Sequence, residues 1–587
     1  MGHAPPRRRL VPAYFGVALL VLLTGSGGSC SEEEHRPTTP EPDTVREAQL
    51  PAPDLRLLVI TDLSGYLEPC GCTSRPLGGI DRMAARVEAL RDDGPPALLV
   101  AAGDLYFHGA PHGAEDGRAA DQERMTAATL NEILERIGLD AAAPGPHDFA
   151  YGTDTFTDLA TDAGFPLLAA GVELTPDGSP ASDPDPASDP ASDPASDPDP
   201  DSDSDPEPAA PLVATTLRRA GDVQVGLLGL SDLQRRDGTL PDGVRVTAEL
   251  REAGRTAVAE LREAGAEVIV ALVHGDRRAA RRVATGIEHL DFVVHGGLDR
   301  AEVDPPSTAG GTVIVNAGRQ GQGLVVVDVH RRGDGGWTDA SVWTRRSQRA
   351  HVDEQIAELR ERIAEWEEDP EVAEADLNRQ RDRLGRLERE KRDLAAPPEV
   401  EARNVFVARY EELAPEAERA GAISALMDRL DRRVNEHNRE LFADWEPEPA
   451  PEGQPHYVGS QTCAGCHGPA VRWWRGTPHG RAYATLEDRH KNYNLSCVGC
   501  HVTGYLEPGG STVTHVENLQ DVGCETCHGP ASMHVQDPDG AAVNVRRDPP
   551  ERLCRGCHNP EHSDTFHFPT YRRLLIAPGH GEPATSD

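Results

Sequence analysis

The sequence is poor in aromatic residues, which make up 4 % of its 587 positions. It also lacks any apolar run of the roughly 18 or more residues that a membrane-spanning helix needs. Basic residues are scarce: 59 Lys and Arg against 98 Asp and Glu leave a formal charge of -39. That field repels polyanions, which excludes nucleic acid as a partner and points to stretches of solvated acidic chain. Cysteine is missing from the middle: Cys30, Cys70 and Cys72 precede a cysteine-free stretch that ends only at Cys463, and eight cysteines are crowded from there on. A chain of this length exceeds what one hydrophobic core organises, so at least two domains are expected.

What is present begins with a secretory pattern. Arg7, Arg8 and Arg9 precede the short apolar run Val17–Leu23, and small residues follow up to Cys30. Gly27-Gly28-Ser29-Cys30 is similar to the lipid-attachment box of bacterial lipoproteins, although Gly27 stands where that box usually has Leu. The resemblance implies a signal peptide over 1–30, lipid on Cys30 as the membrane anchor, and an exported protein of the bacterial cell envelope. Ser31 after the cysteine implies the outer membrane or the periplasm-facing side. Ordinary cleavage with a free cysteine is the alternative. The Glu- and Pro-rich residues 31–53 suit a flexible tether.

From residue 54 to 348, β-branched runs alternate with helical spacing. Leu55–Ile60, Ala97–Ala101, Val223–Leu230, Val268–Val273, Phe292–Val294 and Val313–Val315 read as buried strands, and Arg82–Arg91, Met125–Ile137 and Arg251–Ala264 as helices. The expectation is an α/β domain on a mixed or largely parallel central sheet. Residues 177–211 repeat Ala-Ser-Asp-Pro with no apolar face, which reads as a disordered acidic insertion in a surface loop. Residues 349–445 read as a helical connector. Ile356, Leu359, Ile363 and Trp366 share one helical face, Asp369-Pro370 breaks it, Leu377, Leu384, Leu387 and Leu394 continue on a second helix, and a third runs over about 416–442. A Pro- and Glu-rich linker, 446–456, then leads to a small, mostly α or irregular module over 457–587.

That module holds the strongest signal. C-x-x-C-H occurs four times: Cys463, Cys466 and His467; Cys497, Cys500 and His501; Cys524, Cys527 and His528; Cys554, Cys557 and His558. Two thiols add to the vinyl groups of one haem, and the adjacent histidine then lies under the iron as axial ligand. Every cysteine pair is followed by histidine, which a four-ligand zinc site does not require. Four covalently bound c-type haems are therefore expected, with the porphyrins supplying the core that the aromatic-poor segment lacks. Without haem, this module is not expected to fold.

Trp474–Tyr483, the run Cys497-Val498-Gly499-Cys500-His501-Val502-Thr503-Gly504-Tyr505, and Gly523–His534 together resemble the cytochrome c-554 family over about 120 residues. The resemblance implies bis-histidine ligation of most haems, with His479 and His534 where that family supplies distal ligands and His580 as a third candidate. If only three distal ligands exist, one iron is open and a haem oxidoreductase acting on small nitrogen compounds is the alternative to a pure relay.

In the α/β region, Asp62, Gly103-Asp104, Gly145-Pro146-His147-Asp148, His274 and the stretch Val293–Asp299 follow the motif order of the calcineurin-like metallophosphoesterases, especially their 5'-nucleotidase branch. Leu77-Gly78-Gly79 stands where that family turns into a helix. The resemblance implies a metallophosphoesterase-like sandwich, with Asp62, Asp104, His274 and Asp299 as metal ligands and His147 as the catalytic histidine if the site hydrolyses anything. Yet Ser64, Pro146, Gly297 and Asp299 replace family ligands, so a divalent metal is left without most of a two-metal ligand set. The expectation is a retained fold with a degenerate site.

Beside it lies Gly65-Tyr66-Leu67-Glu68-Pro69-Cys70-Gly71-Cys72. A C-x-C pair closes only a small strained disulfide ring, and strained disulfides are the readily reduced ones. The motif is similar to that of a group of 5'-nucleotidase-related proteins, sometimes selenocysteine-containing here and often joined to multihaem domains. That implies redox use of Cys70 and Cys72; a static disulfide or a soft-metal site are the alternatives. The leading expectation is a lipid-anchored multihaem electron carrier, an oxidoreductase function ahead of a metallophosphohydrolase. Its partners would be redox proteins or quinol-linked donors, with a small thiol or nucleotide as ligand of the α/β domain.

Overall fold

The computed structural model describes residues 47–69, 75–108, 119–175, 212–235, 237–297, 303–333, 335–370, 372–398, 400, 404–540, 545–559, 562–563 and 565–576. Cys30, Cys70, Cys72, Asp299, His580 and the insertion 177–211 lie outside these residues. Among the described residues no helix is long and apolar enough to cross a membrane.

Strands β1 (Leu55–Thr61), β2 (Ala97–Ala102) and β3 (Leu139–Ala143) alternate with helices α1 (Ile80–Asp92) and α2 (Ala120–Arg136) and run parallel. After α3 (Thr153–Asp162) and β4 (Val172–Leu174) come β5 (Thr215–Ala220), β6 (Val223–Ser231), β7 (Val244–Val246), α4 (Leu250–Glu263), β8 (Val268–His274), α5 (Arg277–Gly286), β9 (Phe292–Gly296), β10 (Ser307–Ala309), β11 (Thr312–Val315), β12 (Gly323–His330) and β13 (Trp337–Asp339). The helices α6 (Val342–Glu368) and α7 (Glu374–Asp393), strand β14 (Asn404–Glu412) and helix α8 (Gly421–Leu441) follow.

Twelve of the described strands form two six-stranded sheets, ordered β13-β14-β12-β1-β2-β3 and β10-β11-β9-β8-β6-β5, and β4 pairs with β7. The central sheet read from the apolar runs is thus two mixed sheets, as the sandwich resemblance implied. Side-chain alternation explains the layering, because successive residues of a strand face opposite ways. Leu57 and Val59 join Leu227, Val270 and Val294 between the sheets. Leu58 and Ile60 instead meet α1, α2 and α8 through Met83, Leu130 and Leu426. On the far side, Leu228 and Ile269 pack on Val258 of α4 and Val283 of α5. The result is an α-β-β-α sandwich in which both sheets are buried on both faces.

The helical reading of 349–445 needs correction. Residues 404–412 form β14, which inserts between β12 and β13 and pairs over its whole length with β12, Phe406 opposite Val329. Its Val405, Phe406 and Ala408 are buried. Helix α8 is likewise no spacer: Ile423, Leu426, Leu430 and Val434 join the core of the first sheet. It is locked there by Asp81 of α1, fully buried, which accepts from Arg419 Nε at 2.5 Å, Ser424 Oγ at 2.8 Å and the Arg82 backbone amide at 2.8 Å. Replacing Asp81 by Ala leaves the Ser424 hydroxyl without this acceptor and removes the clasp on Arg419, so a loss of about 1–3 kcal/mol is expected. Calorimetry should show it in the α/β unfolding transition. The hairpin of α6 and α7 has its own small core of Val352, Ile356, Leu359, Ile363 and Leu387.

The C-terminal module is built of short helices joined by turns, with few strand bridges. Its backbone is tied together by one buried carboxylate: Glu525 accepts from the amides of Val458, Gly459 and Ala531 at 2.7–3.1 Å.

Candidate functional site

At the carboxyl ends of β1, β2 and β8 the chain leaves the sheets with Asp62, Asp104 and His274 facing one another, one donor atom from each within 4.8 Å of the others. Their close approach depends on glycine. A Cβ at Gly103, where φ is +97°, would lie 2.0 Å from Asp62 Oδ1, and one at Gly145 would lie 2.1 Å from Asp104 Oδ1. His274 Nδ1 donates to the Asp232 carbonyl at 3.0 Å, which leaves Nε2 turned toward Asp104, 3.8 Å away. His147 closes on the same carboxylate, Nδ1 at 2.8 Å and backbone N–H at 3.0 Å. Burial works to raise the Asp104 carboxyl, but the His147 hydrogen bond and the two neighbouring imidazoles outweigh it and hold it below the usual range. Behind it, Asp148 accepts from Leu105, Tyr106 and Gly145 amides, while burial and the charge of Asp104 push its carboxyl up to about 8.

Three protein donors with an open side fit one divalent cation that completes its shell with water. They do not fit a two-metal centre, which needs a second set about 3.5–4 Å further on. Gly297 has no side chain, and its amide donates to both oxygens of Asp62 at 2.8 and 3.0 Å. Pro146 offers no amide, and the Ser64 hydroxyl turns back on the Asp62 carbonyl at 3.4 Å.

The haem motifs sit on short helices. Cys463–His467 lies in α9 (Ser460–Trp474). After α10 (Ala482–Glu487) come α11 (Leu495–His501) and α12 (Cys524–His528), which carry the second and third motifs, and after α13 (Ser532–Gln536) the fourth begins in α14 (Glu551–Cys554). Helical i, i+3 spacing brings both thiols to one face beside the histidine. All eight cysteines are free of disulfides. His501 Nδ1 bonds the Ala482 carbonyl at 2.6 Å and His528 Nδ1 the Arg546 carbonyl at 2.5 Å, which fixes each ring and leaves Nε2 for a metal.

Two rings from elsewhere come opposite motif histidines. His467 and His534 have ring centroids 6.3 Å apart at 31°, and His558 and His479 are 6.1 Å apart at 56°. A metal–imidazole bond of about 2 Å on each side of one iron, with roughly 1.2 Å from nitrogen to ring centre, separates two trans imidazole centroids by a little over ~6 Å. The residues fit the cofactor. His534 Nδ1 is moreover a buried polar atom that no protein group satisfies. The Cys463 and Cys524 thiols perturb one another, as do Cys557 and Cys500, so the first motif neighbours the third and the fourth neighbours the second.

Residues 462–529 match the family described as cytochrome c554 and c-prime. Haem held covalently follows from that family. Over 90 residues the chain is 34 % identical to cytochrome c-554 of Nitrosomonas europaea, covering 13 % of this chain and 38 % of that protein. Over 128 residues it is 28 % identical to the 5'-nucleotidase of Bos taurus, covering 20 % of this chain and 21 % of that one. The chain thus spans well under half the length of either curated relative. Among solved structures it resembles a 5'-nucleotidase precursor from Thermus thermophilus, with TM-score 0.42, 15 % identity and coverage of 79 % of this chain and 73 % of that one. A sulfate thiohydrolase of the same organism gives TM-score 0.41, 14 % identity and coverage of 66 % and 62 %. The chain therefore joins a cytochrome c-554-like region to a 5'-nucleotidase-like α/β region.

The structure brings Asp62, Asp104, His147 and His274 together, and it places His479 and His534 against two different motif histidines. The sequence pattern gave no hint of which ring faces which motif, nor of Asp148, Glu525 or Lys491. The first two follow their neighbours too closely to carry a signal of their own, and Lys491 acts only across the fold.

Proposed function

We propose that the chain is an exported electron-transfer protein in which four c-type haems are held by the four C-x-x-C-H motifs, joined to an α/β domain whose hydrolytic centre is reduced to three metal donors. The two imidazole pairs, His467 with His534 and His479 with His558, carry this reading: each pair would hold one haem iron from two sides and would leave it no place for substrate. When bound, haem supplies reversible one-electron chemistry. The protein's part is to hold the axial rings, exclude water and keep the attachment points adjacent. Lipid on Cys30, a periplasm-facing or outer-membrane location, quinol-linked or protein redox partners, and a two-electron Cys70/Cys72 couple complete the proposal.

Stopped-flow mixing of the dithionite-reduced full chain with an oxidised small c-type cytochrome tests it. Complete reoxidation without added cation or nucleotide is expected; haems that stay reduced contradict it. A second reading, a one-cation phosphohydrolase with the haem region as accessory, is favoured by the Asp62, Asp104 and His274 cluster. It requires nucleotide hydrolysis that depends on manganese.

A further inference from the structure

Lys491 is 8 % exposed, although it sits in a turn of the small C-terminal module between α10 and α11. Burying an ammonium costs several kcal/mol unless it is paired. Its partners come from the other region of the chain: Nζ lies 2.5 Å from Glu68 Oε2 on the loop after β1 and 3.4 Å from Asp431 Oδ1 on α8. Lys491 precedes Cys497, the first attachment thiol of the second motif, by only six residues.

The contact is not an isolated ion pair. Asn438, fully buried on α8, donates to the Tyr493 carbonyl at 2.9 Å and to Gln122 Oε1 at 2.8 Å. Gln122 Oε1 also accepts from the Leu495 amide at 3.0 Å, at the first turn of α11, and Asn435 accepts from the Tyr493 amide at 2.9 Å. Side chains of α2 and α8 thus take up the backbone groups at the start of the helix that carries the second haem motif. Buried amides matched in this way fix one register, because sliding the two surfaces would leave them unpaired.

We propose that the second haem motif is the part of the haem module that docks on the α/β domain, with Lys491 as the positioning residue whose charge, clasped by Glu68 and Asp431, sets the reduction potential of the haem held there. The proposal rests on the four-haem reading above. Cys466 of the first motif is by contrast exposed. An electron added to a haem removes one positive charge from it, so a nearby cation favours the reduced form and a nearby carboxylate the oxidised form. The α/β domain thereby acts on one haem through a side chain of its own, Glu68, which lies close in sequence to Asp62 of the metal cluster.

The test is a spectroelectrochemical titration of the full holoprotein, with dithionite and ferricyanide as reductant and oxidant, for wild type, Lys491→Met and Glu68→Gln. Lys491→Met is expected to lower, and Glu68→Gln to raise, the reduction equilibrium constant of one haem transition by roughly threefold or more; the other three stay in place. Opposite shifts from residues of two different regions have no explanation in a local role for Lys491. If Lys491→Met folds poorly, Glu68→Gln alone carries the test, since that side chain is half exposed. Four haem transitions unmoved by Glu68→Gln overturn the docking proposal while the four-haem reading stands. Fewer than four haems in the wild type overturn the reading itself.

Discussion

His534→Ala is expected to convert one haem in four from six- to five-coordinate, with His467 left as its single protein ligand, and His479→Ala to do the same to the haem on Cys554 and Cys557. Carbon monoxide binding to the reduced protein reads this directly: about one equivalent per chain appears in each variant beyond the wild-type level. The assignment of partner to partner is tested by a second substitution. With Cys463 and Cys466 also replaced by Ala, the extra equivalent from His534→Ala should vanish, whereas that from His479→Ala should persist. If His534 pairs with any other motif, its extra equivalent persists as well.

Asp104→Asn carries the second large effect. Asp104 faces both Asp62 and His274 and bonds His147, so its substitution reaches the whole cluster. Removing its charge should weaken manganese binding to the α/β domain by at least about 100-fold, since even loss of groups that merely orient metal ligands costs 10–100-fold. Isothermal titration measures this, and the wild type is expected to take up one ion per chain and not two. The haem spectrum should be unchanged by the substitution. Two equivalents in the wild type would mean that residues beyond these three complete a second set, against the geometry of Gly297, whose amide already occupies Asp62.

Much of this was legible in the sequence because the signals are local. The strands with β-branched runs, Leu55–Ile60 and Val268–Val273 among them, are buried on both faces and so read as unbroken apolar stretches. The C-x-x-C-H motifs stand out in the sequence because thioether chemistry calls for a fixed spacing. Strand β14 escaped because Arg409 and Glu411 dress its outer face. That charge is matched by Arg86 and Asp328, which are distant in sequence and adjacent only once the sheet has formed. The same holds for Lys491: a single lysine in a turn has no pattern, and its meaning comes from Glu68 and Asp431 across a domain boundary. The motif order also fell short in one respect. It suggested Asp299 as a substitute ligand, a residue that lies outside the described ones, and did not reveal that the Gly297 backbone N–H donates to Asp62.

Controlled-potential coulometry of the full holoprotein, combined with haem quantitation on the same sample, tests the central claim most directly. The account predicts four haems per chain, four electrons taken up with haem absorbance changes, and four returned on reoxidation. Fewer than four haems, or zinc retained on any of the eight cysteines, would contradict it.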